Sequence, residues 1–252
     1  ISLYSIGFMQ HEKHQTVYYC LLLVTVGFSC GAVAADHMLL MLVFWGMLAA
    51  ALYLMILLAG TEAASAAKKT LIIVGGADCL LMLGVVAVWD LTGTMQLSAA
   101  RTAFHTPLAY GAFLCFAAAA FAKAGAMPVH TWVPDCAAKA WIPVTAFLPA
   151  SLDKLLGIYL LARITLDVFE MTPGMNGLLM LAGAATVVFA VLAALVQHDL
   201  RQLLSFHAVS QVGYMILGIG TGTAIGFAGG LFHMLNNTLY KSCLFLCTGV
   251  VE

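Results

Sequence analysis

Five charged side chains stand where a lipid-embedded chain would be expected to have none. Lys123, Lys154 and Lys241, with Asp78 and Asp153, each lie inside an apolar run long enough to cross a bilayer. A charge at the bilayer centre costs about 2.5–3.5 kcal/mol on insertion scales, so the five are expected to face one another or a wet cavity. Burial disfavours the charged form of an amine. A lysine brought toward neutrality can take up and release a proton, whereas an arginine cannot. Three lysines and two acids in such surroundings point to proton handling. The alternative is a set of structural ion pairs between helices, with Lys154 snorkelling to an interface.

The last two apolar runs add spacing to composition. His233, Asn237 and Lys241 recur at i, i+4 and i+8, with the Tyr240 hydroxyl at i+7. Successive members share a helix face about 6 Å apart in rise. His207, Ser210, Gln211 and Tyr214 form a similar ladder at i, i+3, i+4 and i+7 in the preceding run. Groups that both donate and accept hydrogen bonds can order chains of water. They can equally serve as hydrogen bonds between helices, at about 0.6 kcal/mol each in membranes.

Other chemistries find little support. There is no HExxH, GxSxG or phosphate-binding glycine loop in a suitable context. The seven cysteines stand at 20, 30, 79, 115, 136, 243 and 247 without a CxxC pair, so neither a disulfide framework nor a structural metal is expected. The sequon Asn236-Asn237-Thr238 lies inside an apolar run, out of reach of glycosylation. Ten basic and eleven acidic residues give a formal net charge of −1, which argues against a nucleic-acid partner.

The elements that must position these groups follow from composition. Of the 252 residues, 63% are hydrophobic and only 8% charged, against about 25% charged in an ordinary soluble domain. The solvent for this chain is lipid, which excludes most soluble enzymes. Runs of spanning length lie at about 17–34, 38–60, 70–92, 107–138, 143–166, 176–197, 201–222 and 225–250. Alternating ten-residue strands are absent, so an all-α, polytopic membrane bundle of about eight spans is expected. The fourth run is too long for one straight crossing. Gly125 and Pro128 predict a break between half-helices at about 107–123 and 128–138, beside Lys123. If spans alternate, Lys13, Lys68, Lys69, Lys139 and Arg201 fall at one end and Arg101 and Arg163 at the other. The positive-inside rule then puts the N-terminus in the cytoplasm. The chain starts at Ile1 rather than Met, without a cleavable signal peptide, and stops at Glu252 after an apolar run. It is read as a single membrane-domain piece, 1–252, of a longer protein.

Three stretches carry a family resemblance. Phe121-Ala-Lys-Ala-Gly-Ala-Met-Pro-Val-His-Thr-Trp-Val-Pro-Asp135 resembles a signature of the antiporter-like membrane subunits of respiratory complex I, membrane-bound hydrogenases and multisubunit cation/proton antiporters. The stretch from Gln197 to Met215 and that from Phe232 to Leu246 resemble two further signatures, in the family's order. The resemblance implies two inverted five-helix repeats, the first at about 17–166 and the second beginning at about 176. It implies that Lys123 is the lysine of the first broken helix, a central proton site. Lys241 corresponds to the lysine of the later polar helix, with His233 two turns before it. Arg201 stands where a lysine often links half-channels, and Asp78 resembles an acidic position of the third span. This chain departs from the pattern at Gly46, where a glutamate usually follows Phe44-Trp45. It departs also at Pro149 and Asn237, where histidines occur, and at Leu155, which takes the place of a lysine one step from Lys154.

The resulting expectation is a proton-translocating membrane subunit of a redox-driven ion-pumping complex, NADH-quinone oxidoreductase-like or hydrogenase-like. It would have no catalytic centre and no cofactor of its own. Its proton-transfer residues would be Lys123, Lys241, His233, Asp78, Lys154, Asp153, Asn237, Arg201 and His207. With Gly46 in place of an acid, Asp78 is the expected electrostatic partner of Lys123. The expected partners are other membrane subunits, the bilayer of the cell inner (cytoplasmic) membrane, and H⁺ or Na⁺. The alternatives are a cation/proton antiporter subunit without a redox partner, and a scaffold subunit of a related non-redox assembly.

Overall fold

The computed structural model describes residues 1–10 and 12–251. Its helices are α1 (Ser2–Met9), α2 (Gln15–Ala34), α3 (Met38–Leu57), α4 (Ala64–Thr70), α5 (Gly76–Thr92), α6 (Pro107–Ala124), α7 (Trp132–Lys139), α8 (Ile142–Phe147), α9 (Asp153–Arg163), α10 (Pro173–Leu195), α11 (Leu200–Gly220) and α12 (Ala224–Val251). Among the described residues the only β pairing is two isolated bridges. The protein is a polytopic helical bundle.

Seven helical stretches are long and apolar enough to cross a membrane: Gln15–Ala34, Met38–Leu57, Thr61–Thr92, Pro107–Lys139, Ile142–Val168, Pro173–Leu195 and Leu200–Gly220. The eighth expected span, α12, has 28 residues and ample length, but it is not among the seven. His233, Asn236, Asn237 and Lys241 interrupt its apolar sequence and lower its hydropathy. The third stretch is longer than expected, because a 3₁₀ turn (Thr61–Ala63), α4 and a π turn (Leu71–Gly75) precede α5 without a gap.

Helix starts follow local chemistry. Thr106 and Thr172 each accept a hydrogen bond from the backbone N–H three residues on, with Pro107 and Pro173 in the first turn, where no N–H is needed. The Asp199 carboxylate caps α11 in the same way, accepting from Gln202 N–H at 2.8 Å. Outer faces carry large exposed apolar side chains, such as Leu23 at 69% and Leu239 at 73% exposure. That is the composition expected where acyl chains, rather than water, form the surroundings.

Close packing between α6 and α9 depends on one glycine. A Cβ on Gly157 would lie 2.5 Å from the Ala124 backbone nitrogen and 2.6 Å from the Ala120 carbonyl oxygen. Without a side chain there, α9 lies directly on the last turns of α6, the turns that carry Lys123. The α10–α11 crossing uses the same device in both directions, through Gly183 and Gly213.

The two ends of the bundle differ in chemistry. At one end Lys69 pairs with Asp135 at 2.7 Å, and Arg201 Nη1 donates to the Ala140 carbonyl at 3.5 Å. At the other, Arg163 bonds Asp167 through Nε at 2.5 Å, the Tyr159 hydroxyl through Nη1 at 2.7 Å, and Asp36 through Nη2 at 3.3 Å. Asp36 also accepts from the Ser98 hydroxyl at 2.6 Å and the Ser98 N–H at 3.1 Å. This latch ties the α2–α3 turn and the loop after α5 to the end of α9.

The Ser98 hydroxyl, helped by the Ser98 N–H and Arg163, holds the Asp36 carboxyl below its ordinary range against the opposing effect of desolvation. A lowered carboxylate contributes stability above its unfolded value, and that contribution is lost as pH falls through the folded value. The melting temperature of the detergent-solubilised protein should therefore fall as the pH drops below about 4. Asp36→Asn should flatten that part of the curve, modestly because the site is exposed and screened. An unchanged curve in Asp36→Asn would contradict this.

Candidate functional site

The interior site is built around the broken helix. α6 stops at Ala124 because Gly125 takes a left-handed conformation, φ +76°, which closes the helix end. Ala126 N–H then bonds back to the Phe121 carbonyl at 2.8 Å. A 3₁₀ turn, Val129–Thr131, leads into α7. The Trp132 indole N–H donates to the Ala122 carbonyl at 2.9 Å, so the second half-helix satisfies an acceptor in the last turn of the first. Lys123 sits in that turn, where the carbonyl ends of the helix favour a cation. The break expected from Gly125 and Pro128 is present, with its first half ending at Ala124.

Lys123 is fully buried. Its Nζ lies 3.4 Å from Asp153 Oδ1, an ion-pair contact without hydrogen-bond alignment. On another side the Trp45 ring centroid is 5.4 Å away, a cation–π arrangement that is worth about 2 kcal/mol or more when desolvated. Asp153 reaches this position because a π turn, Leu148–Leu152, precedes α9. Pro149 has no N–H to give to the helix ladder, and the Ser151 hydroxyl donates instead to the Phe147 carbonyl at 2.5 Å and the Ala146 carbonyl at 2.9 Å. The turn and Gly157 together bring both Asp153 and Lys154 inward, where each is buried.

The direct counter-charge of Lys123 is thus Asp153, and Asp78, expected as its electrostatic partner directly or through water, interacts with it without an ion-pair contact. Asp78 is half-buried in the first turn of α5. It interacts electrostatically with Lys123 and lies beside the Trp45 indole. The reason is packing: Gly157 lets α9 close on α6, and Asp153 takes the nearer place.

Beyond this pair the charges continue sideways through the bundle. Lys154 is buried, its Nζ has no hydrogen-bond partner among the described residues, and its electrostatic neighbour is Lys241. Lys241 is buried on α12, with Nζ 3.5 Å from the Leu204 carbonyl and 5.9 Å from the Tyr240 ring centroid. Asn237, also buried, donates to the Tyr240 hydroxyl at 2.7 Å, which donates to Gln211 Oε1 at 3.1 Å. Asp78, Lys123 and Asp153 therefore interact across α5, α6 and α9, and Lys154 and Lys241 across α9 and α12; the adjacency of Asp153 and Lys154 in the chain joins the two groups into a row.

Three expected members lie at its margin. His233 is only half-buried, with its ring edge-on to Tyr214 at 6.0 Å. Residues four apart are rotated by about 40° on an α-helix, so His233 stands roughly 80° around α12 from Lys241. His207 is exposed, although within electrostatic reach of Lys241 and Lys154. Arg201 sits in the first turn of α11 at the basic end of the bundle. Sequence reasoning gave Trp45 no role; the available signal was a tryptophan in mid-span, beside a position without a side chain. It also missed the π turn, which Pro149 within a span could have indicated.

Unpartnered buried atoms gather along this row: Trp45 Nε1, Asp78 Oδ1, Asp153 Oδ2 and Lys154 Nζ, with Asn237 Oδ1 and His233 Nε2 on α12. Buried polar atoms of this kind ordinarily find partners. Lysine ammoniums and carboxylates so arranged can hold a proton at one nitrogen and hand it on through water. Among the described residues no group of His, Cys, Asp and Glu is arranged to hold a metal.

The comparisons with known proteins agree with this geometry. A profile described as NADH:quinone oxidoreductase/Mrp antiporter, TM, matches residues 35–252. The chain is 32% identical over 274 residues to the Na(+)/H(+) antiporter subunit A1 of Staphylococcus epidermidis, covering 100% of this chain and 34% of that protein. It is 39% identical over 141 residues to the F(420)H(2) dehydrogenase subunit L of Methanosarcina mazei, covering 55% of this chain and 21% of that one. Among solved structures it is similar to a chain of the Mrp complex from Dietzia sp. DQ12-45-1b, with a TM-score of 0.86, 30% identity, and 93% of this chain and 26% of that chain covered. It is similar also to a chain of the membrane-bound sulfane sulfur reductase, an archaeal respiratory membrane complex, with a TM-score of 0.87, 26% identity, and coverage of 96% and 50%. The chain spans about a third of the length of its sodium/proton antiporter relative.

Removing one partner of a buried ion pair leaves an uncompensated charge, at a cost of about 3–5 kcal/mol. Asp153→Leu should lower the stability of the protein by that order. The double variant Lys123→Met/Asp153→Leu should lose less than Asp153→Leu alone, measured by thermal unfolding in detergent. A double variant as unstable as the sum of the two single variants would show that the two groups are not coupled.

Gly157→Val should be at least as damaging to folding, because its side chain would meet backbone atoms of α6 rather than flexible side-chain ends. A Gly157→Val protein of undiminished thermal stability would mean that the α6–α9 contact is loose.

Proposed function

We propose, because this chain belongs to the NADH:quinone oxidoreductase/Mrp antiporter transmembrane family, that it forms part of a proton-translocating membrane subunit in a redox-driven ion-pumping complex. The observation that carries this reading is the row of buried Lys123, Asp153, Lys154 and Lys241 with half-buried Asp78 beside it, anchored on a discontinuous helix. In this reading the redox cofactors sit in other subunits, and this chain contributes proton sites alone. The first five spans act as one repeat and α10–α12 begin its inverted counterpart. The assembly lies in the cytoplasmic membrane, with the end bearing Lys68, Lys69, Lys139 and Arg201 inside.

The row itself supplies a mechanism. An ammonium at Lys123 is favoured by Asp153, while ammoniums at Lys154 and Lys241 disfavour each other. Like charges repel more strongly in a protein interior than in water. A proton arriving at one lysine therefore promotes release from the next. Rearrangements in a redox partner that loosen Lys123 from Asp153 would send charge along the row. Water ordered by Tyr240, Gln211 and Asn237 would complete the route on the α12 side.

A second reading has its own support. The sodium/proton antiporter relative matches 100% of this chain, whereas the F(420)H(2) dehydrogenase relative matches 55%. On that reading the same row exchanges H⁺ against Na⁺ without electron transfer.

Lys241→Ala, and the double variant Lys123→Met/Asp153→Leu that removes the buried pair together, each in the complete complex reconstituted in vesicles, should reduce proton flux by on the order of tenfold or more while leaving assembly intact. Unchanged flux in both would remove the row from the transport path. Flux driven by a sodium gradient in the absence of electron donor would favour the antiporter reading. Flux that requires electron donor would favour the redox one.

A further inference from the structure

Two buried tryptophans in the bundle behave differently. Trp132 has its indole N–H satisfied by the Ala122 carbonyl at 2.9 Å, as a tryptophan that pins two segments together should. Trp45 is equally buried, yet its Nε1 has no hydrogen-bond partner among the described residues. Beside it lies Asp78, whose Oδ1 is likewise buried and unpartnered. The face of the same ring looks onto Lys123 Nζ at 5.4 Å. The next residue, Gly46, presents no side chain, and a Cβ there would meet nothing within 4 Å. Helix α3 therefore offers the buried ammonium one group, an aromatic ring.

The electrostatics of an indole fit this place. Its face is negative and its edge positive, so a cation on the face and a carboxylate at the N–H edge are both favoured. A carboxylate at that edge also pushes electron density toward the face. The ring face thus meets Lys123, Asp78 stands near the same indole, and Asp153 holds the same ammonium from α9.

We propose that Trp45 is a positioning residue for Lys123, its ring face holding the ammonium in line with Asp153 and its N–H edge coupling that ammonium to Asp78. The proposal rests on the reading of Lys123 as a proton-transfer site. A ring that merely filled space would be replaceable by any isosteric ring. A ring that holds a cation weakens with every fluorine added to it, because fluorine withdraws electron density from the face without changing the packing appreciably.

The test uses the complete complex in vesicles, with mono-, di- and trifluorotryptophan placed at position 45, alongside Trp45→Leu and Lys123→Met. Proton flux should fall stepwise with fluorine number, reaching on the order of tenfold below the parent at the most fluorinated ring. Trp45→Leu should fall at least as far. Flux that stays level across the fluorinated series, while Lys123→Met abolishes it, would overturn the role of Trp45 and leave the proton-transfer reading standing. Flux that survives Lys123→Met would overturn that reading and this proposal with it. Because the fluorinated rings are nearly isosteric with tryptophan, the series remains decisive even if Trp45→Leu fails to fold.

Discussion

An ammonium held away from water must be met by opposite charge or by oriented electron density, and the centre of this bundle is arranged around that requirement at Lys123. The Asp153 carboxylate on one side and the Trp45 ring on another supply both. Each depends on a departure from regular helix. Gly125 stops α6 so that Lys123 sits in a terminal turn, and the π turn at Leu148–Leu152 sets where Asp153 points. Gly157 then lets the two helices close to a distance that no side chain would allow. Such irregular backbone is tolerable at membrane depth because it is enclosed by protein.

The pairing along the row is uneven. Lys123 has a carboxylate at 3.4 Å, whereas Lys154 and Lys241 have each other as electrostatic neighbours, Lys241 with a carbonyl and an aromatic ring nearby as well. An uneven row is suited to moving charge rather than to storing it. A fully paired set would be a structural cross-link, and each pair would hold its proton against its neighbours. The polar end latches, Lys69–Asp135 and Arg163–Asp36, lie in half-exposed surroundings, where ion pairs contribute little to stability. They serve to fix the relative positions of the helices that carry the row.

The two halves of the chain meet through side chains of different character. In the first five spans the interior is held by an ion pair and aromatic packing. Between α11 and α12 amide and hydroxyl hydrogen bonds run from the buried Asn237 through Tyr240 to Gln211 at the exposed margin. Lys154 and Lys241 are where these two kinds of interior touch. The chain is similar over most of its length to both a sodium/proton antiporter subunit and a chain of an archaeal respiratory complex.

Much of this was determined by sequence alone. A charged fraction of 8% settles that lipid is the solvent. The lengths of the apolar runs give the spans, and Gly125 with Pro128 gives the break, because both residues act on the backbone locally. The identity of the buried charges was legible for the same reason: a lysine in an apolar run is costly in any fold. What only the tertiary structure decided is which charges meet. Asp153 rather than Asp78 reaches Lys123, because a π turn rotates one helix and a glycine admits it, and neither leaves a periodic trace in sequence. The half-exposure of His233 arises from the 40° drift of every fourth residue, which spacing by fours conceals. Trp45 was invisible as a partner because a ring becomes a counter-charge only through its orientation, and orientation is fixed by contacts between helices distant in the chain.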